Sequence, residues 1–356
     1  MPFEESLHKC LLKASPGPEN TSLYLVLHQN LKTNRPVPGI KQKQLNEAMP
    51  QNPIPDTSEF ELPPLPLAEW EATKDTLHLY LQIVGKIRLT LMPPLNHWWH
   101  VTLYVNARGL TTGPIPYKFY TFEIDFDFID HQLRINTSTG AQEEIKLQDG
   151  LSVSEFYTAV MKSLDVLGIK VEILAKPYDN KSDIPFAEDH THATYHADQV
   201  NAYWRVLTVT DEVMKEFSGH FYGKTCPVQF YWHHIDLTVT RFSGKKLPVR
   251  EDASLVERNA YSHEVISFGF WPGDDKVQFP AFYSYTYPSP EGIDKEPLKP
   301  KTASWVDSNG SPMALLPYED LRKEENPRQA LLHFLESAYQ AGAKLADWPI
   351  EDLKVR

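Results

Sequence analysis

Cysteine is nearly absent from this chain: two occur in 356 residues, Cys10 and Cys226, and neither has a CxxC partner. That excludes a disulfide framework and fits a reducing compartment. No stretch approaches the ~18 consecutive apolar residues of a membrane span, and the opening MPFEESLHKC has acidic residues where a signal peptide carries positive charge ahead of an apolar run. The expectation is a cytoplasmic protein that does not engage a membrane. A basic surplus is missing too, with 47 acidic against 35 basic residues and a net charge of -12. A nucleic-acid binder that ignores sequence needs a positive footprint for phosphates, so that class is set aside and the acidic balance reads as solubility. Catalytic signatures are equally scarce. HExxH and GxSxG do not occur, and SGHFYGKT at 218–225 misses the phosphate-loop spacing because Ser218 stands where the first glycine is required. Cys226 precedes Pro227 at a strand entrance, without the helix N-terminus that would activate a thiol, and reads as inert.

What the chain does have is 41% hydrophobic and 12% aromatic residues, enough for a large core. Residues 1–62 stand apart: one short apolar run, TSLYLVLH, and the helix-breaking PQNPIPD predict a loosely ordered extension, or a partner-binding arm. From residue 67, Trp70, Leu77, Tyr80, Leu81, Val84, Ile87 and Leu91 recur at helical spacing, while Glu71, Asp75, His78, Gln82 and Lys86 form a polar ridge, either solvated or lining a cleft. Strands are expected over 101–108 and 120–128; if they pair, Arg108 and the row Glu123, Asp125, Asp127 share a face. Ser152 and Glu155 form a capping box for a helix stopped by Gly168, followed by a strand over 170–175. A helix over about 198–217, strands over 225–244, 261–270 and 281–287, a surface loop over 288–301, and a helix from Asn326 and Pro327 to about 345 complete the order. It predicts an α+β domain over 63–349, with two pseudo-equivalent lobes (63–176 and 195–349) of mainly antiparallel sheet packed with amphipathic helices, either sharing one sheet or stacking two.

The chemistry gathers in TCPVQFYWHHIDLTVTRFSG, 225–244. Read as one strand, it puts Trp232, His234, Asp236, Thr238 and Thr240 on one side and Tyr231, His233, Ile235, Leu237 and Val239 on the other. A polar, aromatic-walled pocket is expected between the helix at 70–91 and the strands around 228–270. In it His263 would be the general acid or base and Asp236 would orient it, with Arg241 or Arg108 holding a carboxylate or phosphate. Arg241 and Asp236 differ in parity, so a bulge is required to join them. His78 from the helical ridge joins His263, Asp236 and Arg241 as a catalytic candidate, and Gln82, Trp232, Thr240 and Tyr285 complete the substrate-binding wall with Arg108. The expected function is that of a small-molecule enzyme using metal-independent acid/base chemistry. A non-catalytic ligand-binding module is the alternative. A metalloenzyme through His192 and Glu188, in a loop that also holds Asp189, His190 and His196, is the third reading. Cofactor and oligomeric state stay open.

Seven segments, LPLAEWEATKDTLHLYLQIVGKIRL, NHWWHVTLYV, FEIDFDF, IPFAEDHTHATY, FYGKTCPVQFYWHHIDLTVTRFSG, AYSHEVISFGFWPG and AFYSYTYPSP, run from Leu65 to Pro290. In them the chain resembles a family of bacterial and fungal proteins catalogued only as a domain of unknown function, DUF5996. The resemblance implies membership without a mechanism and leaves the first sixty residues outside. It also sets three histidines apart from any shared chemistry: His233 and His234 stand where the family tends to Gly-Ser, and His196 where it tends to Asp.

Overall fold

The computed structural model describes residues 62–248 and 251–355, so the expected extension over 1–61 lies outside the described residues. Helix α1 (Leu67–Leu91) turns Trp70, Leu77, Tyr80, Leu81, Val84 and Ile87 into the core and stops at Met92, ahead of Pro93 and Pro94, which cannot continue it. Beneath it lies an antiparallel sheet of β1 (Tyr104–Asn106), β2 (Gly109–Thr111), β3 (Ile115–Tyr117), β4 (Tyr120–Asp127), β5 (Gln132–Thr137) and β6 (Gln142–Lys146), in the order β1-β2-β4-β5-β6 with β3 also on β4. Phe122, Ile124 and Phe126 of β4 point inward, as the period of two predicts. Helix α2 (Val153–Val166) starts on the Ser152–Glu155 capping box and packs Phe156 in a stack with Tyr80, ring centroids 4.0 Å apart. The strand expected over 170–175 is absent. Val171, Ile173 and Ala175 alternate inward, but no sheet edge pairs with them, so the alternation records packing alone.

Helix α3 (Ala197–Gly219) opens the second lobe, followed by β7 (Gln229–Tyr231), β8 (Asp236–Lys246), α4 (Leu255–Ala260), β9 (His263–Trp271), β10 (Ala281–Tyr287), β11 (Ser304–Ser308), β12 (Ser311–Pro317), α5 (Tyr318–Arg322), α6 (Pro327–Leu345) and α7 (Ile350–Leu353). The six strands form a second antiparallel sheet, β11-β12-β10-β9-β8-β7. The expected single strand over 225–244 is in fact a hairpin. Residues 232–235 turn, Ile235 takes a positive φ of 51°, and Tyr231 pairs with Asp236, so those two share a face that an unbroken alternation assigns to opposite sides. The two sheets meet edge to edge: Leu103 and Phe230 exchange both backbone hydrogen bonds, at 2.9 and 2.8 Å. The molecule is therefore α+β, with two sheet lobes aligned side by side rather than stacked. Among the described residues no helix is long and apolar enough to cross a membrane.

In the second sheet, the register sorts the residues into two faces. Leu237, Val239 and Arg241 of β8 lie level with Phe270, Phe268 and Ile266 of β9, which in turn face Phe282, Ser284 and Thr286 of β10. This side receives α3 and α6: Phe217 meets Phe268 edge-on at 4.7 Å, and Gly342 sits against Thr286 so closely that a Cβ would overlap the threonine hydroxyl. The opposite side carries Gln229, Tyr231, Asp236, Thr238, Thr240, Ser267, Gly269, Tyr283 and Tyr285. An apolar sheet face covered by helices is what folding requires. A second face of tyrosines and hydroxyls is not.

Candidate functional site

Asp236, Thr238 and Thr240 follow one another along β8 on this polar face, and Tyr283 and Tyr285 lie alongside from β10 with their rings nearly parallel, 10° apart in plane and 6.3 Å between centroids. Between the two strands runs β9, and the side-chain-free Gly269 lets the Tyr283 ring lie across it; a Cβ there would overlap the phenol. The Tyr283 hydroxyl thereby reaches β8 and donates to Asp236 Oδ2 at 2.5 Å. Thr240 and Ser267 share a hydroxyl contact at 3.0 Å, and Tyr285 meets Tyr261, just ahead of β9, hydroxyl to hydroxyl at 3.2 Å.

Asp236 is 8% exposed and Thr238 3%, and in both a buried oxygen, Asp236 Oδ1 and Thr238 Oγ1, has no hydrogen-bond partner. Leaving such a group unsatisfied costs on the order of 1–3 kcal/mol, so each marks a polar atom that the packing of this face leaves without an internal partner. Burial pushes the Asp236 carboxyl above the usual carboxylate range; the charge of His234 and the hydrogen bond from Tyr283 only partly oppose it. The same burial holds the Tyr231, Tyr283 and Tyr285 phenols well above theirs, so they act as neutral hydrogen-bonding tips.

The remaining sequence candidates go elsewhere. His263 shares the polar face but sits at its other end: Phe270 lies level with Leu237, and His263 is seven residues further along β9, roughly 24 Å at about 3.4 Å per residue. Asp236 therefore cannot orient it, and His263 Nδ1 instead contacts the Ser262 hydroxyl at 3.0 Å. Arg241 points to the helical side, sandwiched by Phe217 at 3.5 Å and Tyr339 at 4.4 Å and donating to the Phe217 carbonyl. Its burial lowers its pKa to about 10, and it faces away from Asp236, Tyr283 and Tyr285. Arg108 does meet the acidic row, through Asp127 at 2.5 Å, but in a surface network with Asp130 and Arg134 on the other lobe.

The expected pocket between α1 and the C-terminal strands is closed by Trp232. Its indole lies on Gly85, where any Cβ would collide with it, and its N–H donates to the Val101 carbonyl at 2.8 Å. Gln82 grips the backbone of Tyr178, donating to its carbonyl at 2.9 Å and accepting from its N–H at 2.8 Å. His78 donates from Nε2 to the His233 carbonyl at 3.0 Å, and its Nδ1 faces the Asn180 amide nitrogen at 3.1 Å. Burial lowers its pKa to about 4. The helical ridge is thus a fastening for two loops. In the histidine-rich loop, His192 Nδ1 is held at 2.7 Å by the buried Asp189 while Glu188 is exposed, and among the described residues no three His, Cys, Asp or Glu side chains are grouped to hold a metal. An open groove of about 460 Å³ lies between the facing sheet edges and α3, bordered by Tyr104, Val228 and the Asp211–Lys215 ion pair, with none of the sequence candidates in it.

Sequence reading missed one cluster. His97 Nε2 lies 2.6 Å from Lys224 Nζ, beside Trp99, Phe242 and His263. The contact joins residues 127 apart in the chain, so spacing carries no signal of it.

Fold and site together define a two-lobed α+β protein with a polar, tyrosine-rich face on its C-terminal sheet. The chain belongs to DUF5996, a family of unknown function whose model matches residues 62–355. No curated protein and no solved structure matches it.

Proposed function

We propose that the tyrosine-lined face binds a small organic ligand and that Asp236, with Tyr283, exchanges a proton with it in metal-independent acid/base chemistry. The observation that carries this reading is the pair of buried, unpartnered oxygens, Asp236 Oδ1 and Thr238 Oγ1, next to a carboxyl whose pKa is raised. A carboxyl that keeps its proton to higher pH is a better general acid near neutrality, and the phenol bonded to it offers a path to the half-exposed surface of the face. The neutral tyrosine tips favour the alternative, a ligand-binding module that does no chemistry.

Ligand-observed NMR with a library of small phenols, amides and carboxylic acids tests both. Hits are expected on the wild-type chain, with affinity about tenfold weaker in Asp236→Asn and Tyr285→Phe, the loss of one good hydrogen bond. A wild type that binds none of the library, or variants that bind every hit equally well, refutes the site. Once a substrate is in hand, Asp236→Asn that binds but does not turn over supports the enzyme, and unchanged turnover leaves the binding module.

A further inference from the structure

At the far end of the same sheet face, His97 and Trp98 both take left-handed backbone conformations, φ 55° and 63°, which side chains larger than glycine rarely adopt. The result is a fixed imidazole. His97 Nδ1 is directed at the carbonyls of Asn259 at 3.0 Å and Ala260 at 3.3 Å, so it carries the proton, and the Nε2 lone pair is left to accept from Lys224 Nζ at 2.6 Å. Lys224 has no carboxylate partner among the described residues; its ammonium lies over Trp99 at 5.2 Å and Phe242 at 4.9 Å, yet the side chain stays open to solvent. A solvent-reachable amine, unpaired with any acid among the described residues and hydrogen-bonded to a neutral imidazole, is the arrangement an amine nucleophile requires. Desolvation lowers the Lys224 pKa despite the two rings, and lowers that of His97 as well.

We infer that Lys224 is a carbonyl-reactive amine that forms an imine with a small aldehyde or ketone, with His97 as its proton shuttle. His97 Nε2 takes a proton from the ammonium, and the freed nitrogen lone pair attacks the carbonyl carbon. The C=O electrons pass to oxygen, which receives the proton back from His97 to give a carbinolamine. Loss of that oxygen as water, with one further proton drawn from the nitrogen, leaves the protonated imine. The sum is ammonium plus carbonyl to iminium plus water, with no oxidant or reductant consumed. This centre does not depend on the chemistry of Asp236.

The test is competitive labelling of the full-length wild-type chain with a small excess of propanal and sodium cyanoborohydride at about pH 7, with peptide mass spectrometry reading each lysine. Lys118 is the internal reference, since it is exposed and lies over Tyr117 at 5.0 Å but has no imidazole beside it. Lys224 is expected to be alkylated several-fold faster than Lys118, because desolvation lowers its pKa and so leaves more of it as neutral amine, and because His97 takes up its proton. Equal rates overturn the proposal, and because both lysines are read in one wild-type chain, no variant's misfolding enters the comparison. His97→Gln should slow Lys224 several-fold from its wild-type rate while Lys118 in the same digest is unchanged; an unchanged Lys224 rate overturns the shuttle. Asp236→Asn should label as wild type does, so failure here and failure of the Asp236 reading are separate results.

Discussion

Acid should weaken this fold through His78, whose burial sets the direction and rough size of the effect. In the unfolded chain a histidine takes up a proton near 6.5, whereas in the fold burial holds His78 at about 4. Its surroundings show why: Nε2–H is spent on the His233 carbonyl, and the Asn180 amide presents its nitrogen to Nδ1 because the amide oxygen already accepts from the Ser182 N–H at 2.9 Å. A proton on Nδ1 would face a donor. Between the two pKa values the unfolded state binds more protons than the native state, so His78 contributes its full stabilisation above pH 6.5 and loses it as pH falls toward 4. At about pH 4.5 some two of the two and a half units have been crossed, roughly 2–3 kcal/mol at ~1.4 per unit, a large part of the ~5–15 kcal/mol typical of a domain. The perturbation is His78→Gln, whose amide can still donate toward the His233 carbonyl but does not titrate. Urea unfolding near pH 7 and near pH 4.5 gives the loss for each chain. The variant should lose roughly 2–3 kcal/mol less than wild type over that interval, whatever its stability at pH 7. Equal losses would refute the assignment of the acid sensitivity to this ring.

Asp236 works in the opposite sense: its folded pKa is raised above the unfolded value of 3.8, so the native state holds the proton longer and stability falls as pH climbs out of that window. Asp236→Asn should flatten this part of the stability profile, and an unchanged slope would mean that another carboxyl is responsible. Gly85→Ala should cost roughly 1–3 kcal/mol by overpacking, since the new methyl meets the Trp232 indole already anchored on Val101; a thermal midpoint equal to wild type would show that the indole can move aside. Cys226, buried and pushed up to about 12, should resist iodoacetamide at about pH 8 in the native chain and react once urea is added, with site-resolved mass spectrometry as the readout.

Where a local signal exists, the sequence was enough to place the element. Asn326 and Pro327 do start α6, Ser152 with Glu155 does cap α2, and β10 occupies 281–287 as expected. The short strands β2, β3, β5, β6, β11 and β12 escaped because three to seven residues of mixed polarity carry too little periodicity. The turn at 232–235 escaped for another reason. Trp-His-His-Ile contains no glycine, asparagine or proline, so the alternation of 225–231 ran into that of 236–244. Even so, the polar set Asp236, Thr238 and Thr240 was legible, because all three lie on the one strand that follows the turn. That His263 and Arg241 lie apart from Asp236 was not legible, because a list of residues on neighbouring strands holds neither their height along the sheet nor the side from which the helices approach. The His97–Lys224 contact was out of reach altogether, depending on two left-handed residues in a segment with no glycine.

The meeting of Leu103 with Phe230 also bears on how the protein behaves in a crowded solution. A sheet edge is a row of unpaired peptide groups onto which another copy can add a strand. Here the two inner edges, β1 and β7, are brief and turned toward each other, so neither is offered to a neighbour. Of the outward edges, β6 reads Gln-Glu-Glu-Ile-Lys, so an incoming strand would have to approach two carboxylates and an ammonium, and β11 is five residues long and carries Asp307. Twelve strands set side by side would otherwise be a template for growth; short inner edges that face one another and a charged outer one let this chain end where its own sheets end.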